Sequence, residues 1–145
     1  MSDLFGVFSV SSSGMEAQRI RTQLLAENIA NGETTRTPDG GPYRRKDAIF
    51  TAQNVDQPFS SVLDSQMNEM TGVAVREVMV DESAPQRRYL PGHPDADKDG
   101  YVNFPQLNPA EEMVNLMSAS RGYQANVSAI TAVKDMIQRS LELFR

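Results

Sequence analysis

Apolar residues recur at alternating steps of three and four along the C-terminal part of this sequence. Eight of the ten positions in this register carry an apolar side chain, namely Met113, Leu116, Tyr123, Val127, Ile130, Ile137, Leu141 and Phe144. Such spacing over more than four heptads is typical of a helix that packs along its length against other helices. At ~1.5 Å per residue, a helix over residues 108–145 would be about 55 Å long. So long a helix needs partners of similar length.

The beginning of this helix is marked by the run Asn108-Pro109-Ala110-Glu111. Asn is a favoured N-cap, Pro is favoured at the first helical position, and Glu three residues after the cap completes a box-like pattern. Beside the main stripe lies a second, thinner one, which consists of Val114, Met117, Ala125, Ala129, Ala132, Val133, Met136 and Leu143. The predicted helix is therefore apolar on more than one side.

The N-terminal end carries a weaker pattern of the same kind. Its apolar positions at the 3-4 spacing are Leu4, Phe8, Met15, Leu25 and Ile29. The run of residues 11–14, three serines and a glycine, lowers helix propensity in the middle. Asn31-Gly32 is a good stop, because glycine adopts the left-handed conformation that follows many helices. We predict a helix over residues 4–31.

The region between the two helices has the composition of a small β-rich insert. Residues 37–42 are dense in turn-forming Pro, Gly and Asp. We predict strands around residues 48–50, 73–80, 88–90 and 101–104, with a polar loop before the second of them. The sequence therefore predicts an α+β fold: an N-terminal helical segment over 1–33, a β-rich insert over 34–107 and a C-terminal heptad helix over 108–145.

Charge and composition exclude several function classes. The net charge is −5, and the chain contains no cysteine and one histidine. An acidic chain is a poor binder of nucleic acid, which needs a cationic surface. Without cysteine there is no disulfide, thiolate metal site or cysteine nucleophile. His93 stands alone between Gly and Pro in a predicted turn, and no nucleophile elbow or phosphate loop is present. We therefore predict no catalytic, cofactor or metal site and no small-molecule substrate.

The segment Asp95-Ala96-Asp97-Lys98-Asp99-Gly100 matches the opening of an EF-hand calcium loop. The twelfth position, where the bidentate glutamate belongs, is Gln106, and the preceding residues cannot form the entering helix. The more economical interpretation is an Asx turn, in which Asp side chains accept hydrogen bonds from nearby backbone amides. A calcium-binding module nevertheless stays an alternative function.

The four basic residues Arg36, Arg44, Arg45 and Lys46 form the one basic cluster of the sequence. They follow a Gly/Pro turn and precede a predicted strand. Such charges either protect an exposed strand edge from aggregation or bind an acidic segment of a neighbouring subunit. The acidic residues 51–100, which carry the whole net charge, would supply that segment. The sequence does not distinguish the two interpretations.

The apolar stripes exceed what one small insert could cover, and exposed stripes of this length usually mark an interface. We therefore predict an assembly interface on the two terminal helices. Its residues are Leu4, Phe8, Met15, Leu25, Ile29, Met113, Leu116, Tyr123, Val127, Ile130, Ile137, Leu141 and Phe144. A soluble coiled-coil adaptor would share these helices but would not account for the β-rich insert.

Several long motifs resemble the family of bacterial flagellar rod and hook axial proteins, and within it the proximal rod subunits. They occur in the family's order over nearly the whole chain, at residues 12–19, 26–31, 34–46, 89–97, 100–102, 111–115 and 118–126. Gly122 departs from the pattern, since a larger residue, often Ala, is common there. A glycine at this place would loosen the helix or permit closer packing.

The resemblance implies a structural subunit of the flagellar basal-body rod, the drive shaft that crosses the periplasm. The terminal helices would assemble with those of other subunits into a tube around the export channel. The implied partners are further copies of the chain, the rod proteins FlgB, FlgF and FlgG, FliE and the flagellar type III export apparatus. The N-terminus lacks the basic and apolar regions of a cleaved signal peptide, which agrees with export without cleavage.

Overall fold

The computed structural model describes residues 2–54 and 71–143, and it consists of two long helices and four short strands. Helix α1 spans Ser2–Ala30 and helix α2 spans Pro109–Leu143. Between them lie β1 (Lys46–Asn54), β2 (Thr71–Val80), β3 (Gln86–Tyr89) and β4 (Tyr101–Phe104). This arrangement confirms the predicted α+β class, with long terminal helices flanking a small antiparallel β region. The predicted polar loop falls mostly on residues 55–70, which lie outside the described part of the chain.

The two helices run antiparallel and keep one register where they face each other. Gly14 of α1 faces Asn126 of α2, and four residues further along α1 Gln18 faces Gly122, four residues back along α2. Ten residues further again, Asn28 is hydrogen-bonded to Glu112. Equal steps on both helices mean that the pairing does not slip over this length. The single chain thus supplies a long partner for α2.

Local signals set the ends of the helices. Asn108 acts as the N-cap of α2: its Oδ1 accepts the N–H of Ala110 at 3.1 Å, and its carbonyl accepts the N–H of Glu112 at 3.0 Å. Helix α1 ends at Ala30, immediately before Asn31-Gly32, as predicted. It also continues unbroken through its serine-rich stretch, where the Ser13 hydroxyl donates to the carbonyl of Val10 at 2.8 Å.

The strands form two separate two-stranded antiparallel sheets. In the first, which we call the ribbon, β1 pairs with β2, with a bulge where the partners change from Ile49–Glu77 to Phe50–Val75. In the second, β3 pairs with β4. All four strands occur where the sequence predicts them, because their β-branched and aromatic residues and the turns between them are local features.

Helix α1 is the element that the rest of the fold shares. It packs against α2 and also against both strands of the ribbon. Near one end of the ribbon, the backbone N–H of Val73 donates to the Ser13 hydroxyl at 3.1 Å. At the other end, Lys46 is bonded through its backbone to the side chain of Asn28. The ribbon therefore lies along α1 between these two contacts.

Within residues 2–54 and 71–143, neither α1 nor α2 combines the length and the apolar character that a membrane-spanning helix requires.

Candidate assembly surface

The face of α2 that meets α1 is built from small and polar residues. Glu112, Ala119, Asn126 and Val133 recur every seven residues along it, and all but Asn126 are buried. On α1 the buried residues are Ser11, Ala17, Leu25 and Asn28. Small side chains let two helix backbones approach closely, and the distance between packed helices depends on the residues at the contact. This set of residues is the pairing face.

In the predicted heptad seam of α2, positions 113, 120, 127 and 134 each follow a pairing-face residue by one position, about 100° around the helix, whereas the other half of the seam borders the pairing face. The seam residues Met113 and Leu141 are 52% and 67% exposed, and Val127 is 39% exposed. Leu116, Tyr123 and Ile130 are half-buried at the border between the two faces. The heptad spacing is thus real, but within one chain α2 turns its small residues inward, keeps half of the seam at the border and leaves Met113, Val127 and Leu141 outside.

Among the described residues of α2, seven large apolar ones are exposed in the single chain, on more than one side of the helix, and together we call them the outward stripe. It consists of Met113, Val114, Met117, Val127, Met136, Ile137 and Leu141. Three of these, Val114, Met117 and Met136, belong to the second apolar stripe of the sequence. Exposed apolar surface of this extent marks an interaction site in soluble proteins. Nothing within the described residues packs over these side chains to bury them.

The predicted interface residues of α1 are distributed differently. Phe8 is exposed, as is its neighbour Val7, whereas Met15 and Ile29 are half-buried. Leu25 is only 2% exposed, so its side chain belongs to the core of the single chain rather than to an open surface. The side chain of Leu4 and the whole of Phe144 lie outside the described part. The assignment of these residues to an interface between subunits stays a prediction.

The ribbon adds a second exposed apolar patch that the sequence patterns did not indicate. Val78, Met79 and Val80, three consecutive residues of β2, are all exposed, and so are Phe50 and Val73. A two-stranded sheet that packs on a helix through one side leaves its other side and its edges open. The strand predictions could not show this, because the tertiary structure decides which face of the ribbon is covered.

A buried polar network joins the pairing face to the start of the ribbon. Asn28, fully buried, donates from Nδ2 to the Lys46 carbonyl at 2.8 Å and to Glu112 Oε2 at 3.0 Å. Its Oδ1 accepts the Tyr43 hydroxyl at 2.9 Å and the Lys46 N–H at 3.0 Å. Glu112 Oε1 accepts from Arg45 Nε at 2.6 Å. Every donor and acceptor of the Asn28 amide is therefore used, which is the condition for burying such a group without penalty.

Most residues of the basic cluster have partners within their own chain. Arg45 binds Glu112 and also Asp47, Lys46 binds Glu27, and Arg36 lies 3.8 Å from Asp95. The guanidinium of Arg45 is therefore held by Glu112 of α2. For Arg36 and Arg44, which are exposed, a contact to an acidic neighbouring subunit stays a prediction.

The network also changes the acidity of its members. Burial, reinforced by the carboxylates of Glu27 and Glu112, raises the pKa of the Tyr43 phenol to about 12. The hydrogen bond to Glu112 raises the pKa of the Arg45 guanidinium further above its ordinary value. Both shifts favour the protonated forms that donate hydrogen bonds in this structure. No sequence motif predicts this cluster, since its members come from α1, β1 and its preceding loop, and α2.

The raised pKa of Tyr43 predicts a loss of stability in alkali. The pKa of the Tyr43 phenol is higher in the folded chain than in the unfolded chain, where it is about 10. Its contribution to the stability of the fold is therefore present in full below about pH 10. This contribution is lost as the pH rises from about 10 to about 12. We expect the unfolding free energy, measured with urea at several alkaline pH values, to fall less steeply in Tyr43→Phe. The exposed Tyr89 supplies the control, Tyr89→Phe, which should keep the parent's slope.

The calcium-like segment is an Asx turn, as the more economical interpretation proposed. Asp97 Oδ1 accepts the backbone N–H groups of Asp99 at 3.0 Å and Tyr101 at 2.8 Å, and its Oδ2 binds Arg87 at 2.8 Å. The backbone hydrogen bond from Tyr101 contributes most to lowering the pKa of Asp97. Asp95 is bonded to the hydroxyl of Thr35. Across residues 2–54 and 71–143 no three His, Cys, Asp or Glu residues are placed to hold a metal ion.

This turn gives a second testable expectation. Asp97→Asn keeps the oxygen that accepts both amides and removes only the exposed charge pair with Arg87. We expect the midpoint of thermal unfolding to stay within a few degrees of the parent's, because exposed ion pairs contribute little. Calorimetric titration of the parent with calcium should show no saturable heat. Saturable micromolar binding that the substitution abolishes would contradict the assignment as a turn.

His93 has a structural place in the same region. Its Nδ1 accepts the backbone N–H of Asp95 at 3.1 Å, and its ring lies edge-on to Phe104 with a centroid distance of 6.4 Å. It therefore closes the turn before the acidic segment. These contacts account for a lone histidine between Gly and Pro without any chemical role.

Comparison with known proteins identifies relatives along the entire chain. A family model described as "Flagellar basal body rod FlgEFG protein C-terminal" matches residues 98–143, which contain β4 and α2. The flagellar basal-body rod protein FlgC of Borreliella burgdorferi is 41% identical over 98% of each chain. The protein of the same name from Bacillus subtilis is 40% identical over 96% of this chain and 97% of its own. That of Salmonella typhimurium is 36% identical over 97% of each.

Proposed function

This chain belongs to the FlgC family of flagellar basal-body rod proteins, and from that membership we infer that it is a structural subunit of the flagellar rod, with a role in motility. The relatives match it through both helices and through the strands between them. A soluble coiled-coil adaptor would leave the β region unexplained, and nothing supports a calcium-binding module. The family is one of structural rod proteins.

The observation that carries this function is the division of α2 into two faces. The pairing face is satisfied inside the chain by small and polar residues, while the outward stripe leaves seven large apolar side chains uncovered. A subunit that must fold by itself and then join many others needs both faces. Burying one large apolar side chain contributes roughly 1.5–3 kcal/mol, so a stripe of seven provides a substantial drive for association.

We propose that the outward stripe, with Phe8 of α1 and the exposed patch of the ribbon, contacts neighbouring subunits in the rod. The terminal helices then pack side by side into a tube around the export channel. Partners of suitable chemistry are other helical rod subunits, FlgB, FlgF, FlgG and further copies of this chain, together with FliE. The exposed apolar side chains of α2 could pack against the apolar side chains of such helices.

We further propose that the chain reaches the periplasmic rod through the flagellar export apparatus without cleavage of a signal peptide. The sequence contains no cysteine, so no disulfide would have to be opened before the chain could pass through the export apparatus in an extended form. Mass spectrometry of the protein recovered from basal bodies would give its N-terminus. An intact Met1 or Ser2 is expected, and a shortened N-terminus would contradict this step.

Co-purification tests the function as a whole. The tagged native protein is expected in detergent-purified basal bodies and should remain with them after washes that remove soluble complexes. A deletion strain should lack rods and should not swim, and the full chain should restore both. Recovery only in a soluble complex, with normal rods in the deletion strain, would contradict the proposed function.

A further inference from the structure

The turn that ends α1 contains Asn31-Gly32, the only place in the sequence where an asparagine is followed by a glycine. Asparagine is a labile residue, because its side-chain carbonyl carbon can be attacked by the backbone nitrogen of the next residue. Glycine in the second place has no Cβ to hinder that attack. The attack forms a bond between Gly32 N and Asn31 Cγ and expels the side-chain nitrogen as ammonia. Water then opens the resulting succinimide to aspartate or isoaspartate, with no change of oxidation state.

The backbone at position 32 does not itself require glycine. The φ angle of Gly32 is not positive, so the left-handed conformation predicted after the helix does not occur at this residue. A Cβ added to Gly32 would lie 3.4 Å from the carbonyl oxygen of Ile29 and 3.4 Å from Leu107 Cδ1, which is ordinary van der Waals contact. The fold therefore accepts alanine here, which separates the chemistry of the Asn-Gly pair from its place in the structure.

The folded chain holds both reacting groups in hydrogen bonds. Asn31 Nδ2 donates to the carbonyl of Glu27 at 2.9 Å, and Asn31 Oδ1 accepts the hydroxyl of Thr34 at 3.2 Å. The backbone N–H of Gly32 donates to the carbonyl of Ile29 at 3.3 Å. The nitrogen has to lose this proton before it can attack, and the side-chain amide has to leave its two partners. The end of α1 thus protects Asn31 when it is folded and exposes it when it is unfolded.

The same contacts disfavour the products of the reaction. An aspartate at position 31 has no hydrogen to donate to the Glu27 carbonyl, and it places a carboxylate four residues after that of Glu27, where like charges repel. The new charge also lies at the C-terminal end of α1, where the helix dipole disfavours anions. Isoaspartate lengthens the main chain and displaces Thr34, whose N–H binds the Asn31 carbonyl and whose carbonyl accepts the N–H of Tyr43.

We propose that Asn31 is a deamidation site. It reacts with water, by way of the succinimide that Gly32 N forms, while the end of α1 is unfolded, and it is protected once the subunit is folded into an assembly. Chains that stay unassembled thereby lose the ability to form the end of α1, whereas assembled subunits keep it. This selection of subunits rests on the proposed function, but the chemistry of the site does not.

Peptide mapping by mass spectrometry tests the chemistry in the purified full chain, held unfolded in guanidinium chloride at mildly alkaline pH. We expect Asn31 to be converted before any other asparagine of the chain, and Gly32→Ala to slow its conversion severalfold. Because the chain is unfolded throughout, this comparison does not require the variant to fold. The proposal is overturned if another asparagine reacts first, or if Asn31 reacts as fast in Gly32→Ala as in the parent.

The protection is tested in purified basal bodies, incubated in the same buffer without denaturant. Their copies of the chain should keep Asn31 intact over the time in which the unfolded chain loses it, and equal loss in both would overturn the proposal. If the chain were absent from basal bodies, the proposed function would fail, while the experiment in denaturant would still decide the chemistry of the site.

The effect of the product is tested with Asn31→Asp made in cells. We expect severalfold fewer rods and reduced swimming in soft agar, because the end of α1 no longer forms. Asn103→Asp, the same change at an exposed asparagine of β4, is the matched control and should swim like the parent. Normal rods and swimming in Asn31→Asp would overturn the proposal, since deamidation would then exclude no subunit.

Discussion

Replacing Val127 with Asp is expected to abolish rod assembly and swimming while the subunit still folds. Val127 lies in the middle of the outward stripe and is 39% exposed in the single chain. An aspartate there is solvated in the free chain but would be buried without a partner in the rod. Burying an unpaired carboxylate is far more costly than the roughly 1.5–3 kcal/mol that the burial of valine contributes. Swimming in soft agar, rod counts by electron microscopy and circular dichroism of the purified variant are the measurements.

Gln124→Asp is the matched control for this experiment. Gln124 is exposed on the same side of α2, one turn before Val127 and seven residues after Met117, but its side chain is already polar. The substitution adds the same charge, so it should leave swimming and rod number near the parent's. If Val127→Asp swam normally, the stripe would not be a contact between subunits. If it failed to fold, Leu141→Asp, at a still more exposed position, would carry the same test.

The second large effect is expected on stability, from Glu112→Ala. The Glu112 carboxylate is 2% exposed and accepts hydrogen bonds from Arg45 and from the buried amide of Asn28. Its removal leaves one amide hydrogen of Asn28 without an acceptor and leaves Arg45 with Asp47 as its remaining carboxylate partner. A buried donor without an acceptor costs about 1–3 kcal/mol. We expect the unfolding free energy, measured with urea, to fall by that amount and the link between the loop before β1 and α2 to loosen.

The adjacent residue provides the control for that experiment. Glu111→Ala removes the same side chain one position earlier, where it is exposed in the first turn of α2. Its favourable interaction with the helix dipole is worth only about 0.3–1 kcal/mol. A loss of similar size in both variants would show that the buried network contributes no more than the dipole does. Hydrogen exchange at the amides around Asn28 should speed up in Glu112→Ala alone.

The buried network shows where prediction from the sequence stopped. Asn28 and Glu112 each sit in stretches whose local pattern indicates a helix, and both were correctly placed in helices. Nothing nearby in the sequence indicates that they bond each other across 84 positions, or that Tyr43 and Arg45 join them. The basic cluster consequently stayed ambiguous, because a cation's partner depends on which distant carboxylate the fold brings to it.

By itself, the sequence determined where the helices and strands lie, favoured a turn at the acidic segment, and indicated that the terminal helices carry more apolar surface than one chain covers. These properties rest on caps, turn residues and periodicity, which act between residues a few positions apart. Only the tertiary structure decided which face of α2 pairs with α1. Periodicity counts large apolar side chains, whereas close packing of two helices favours glycine and alanine, so the pairing face lies beside the predicted seam rather than on it. Met113, Val127 and Leu141 of that seam were thereby left on the outside, where other subunits can reach them.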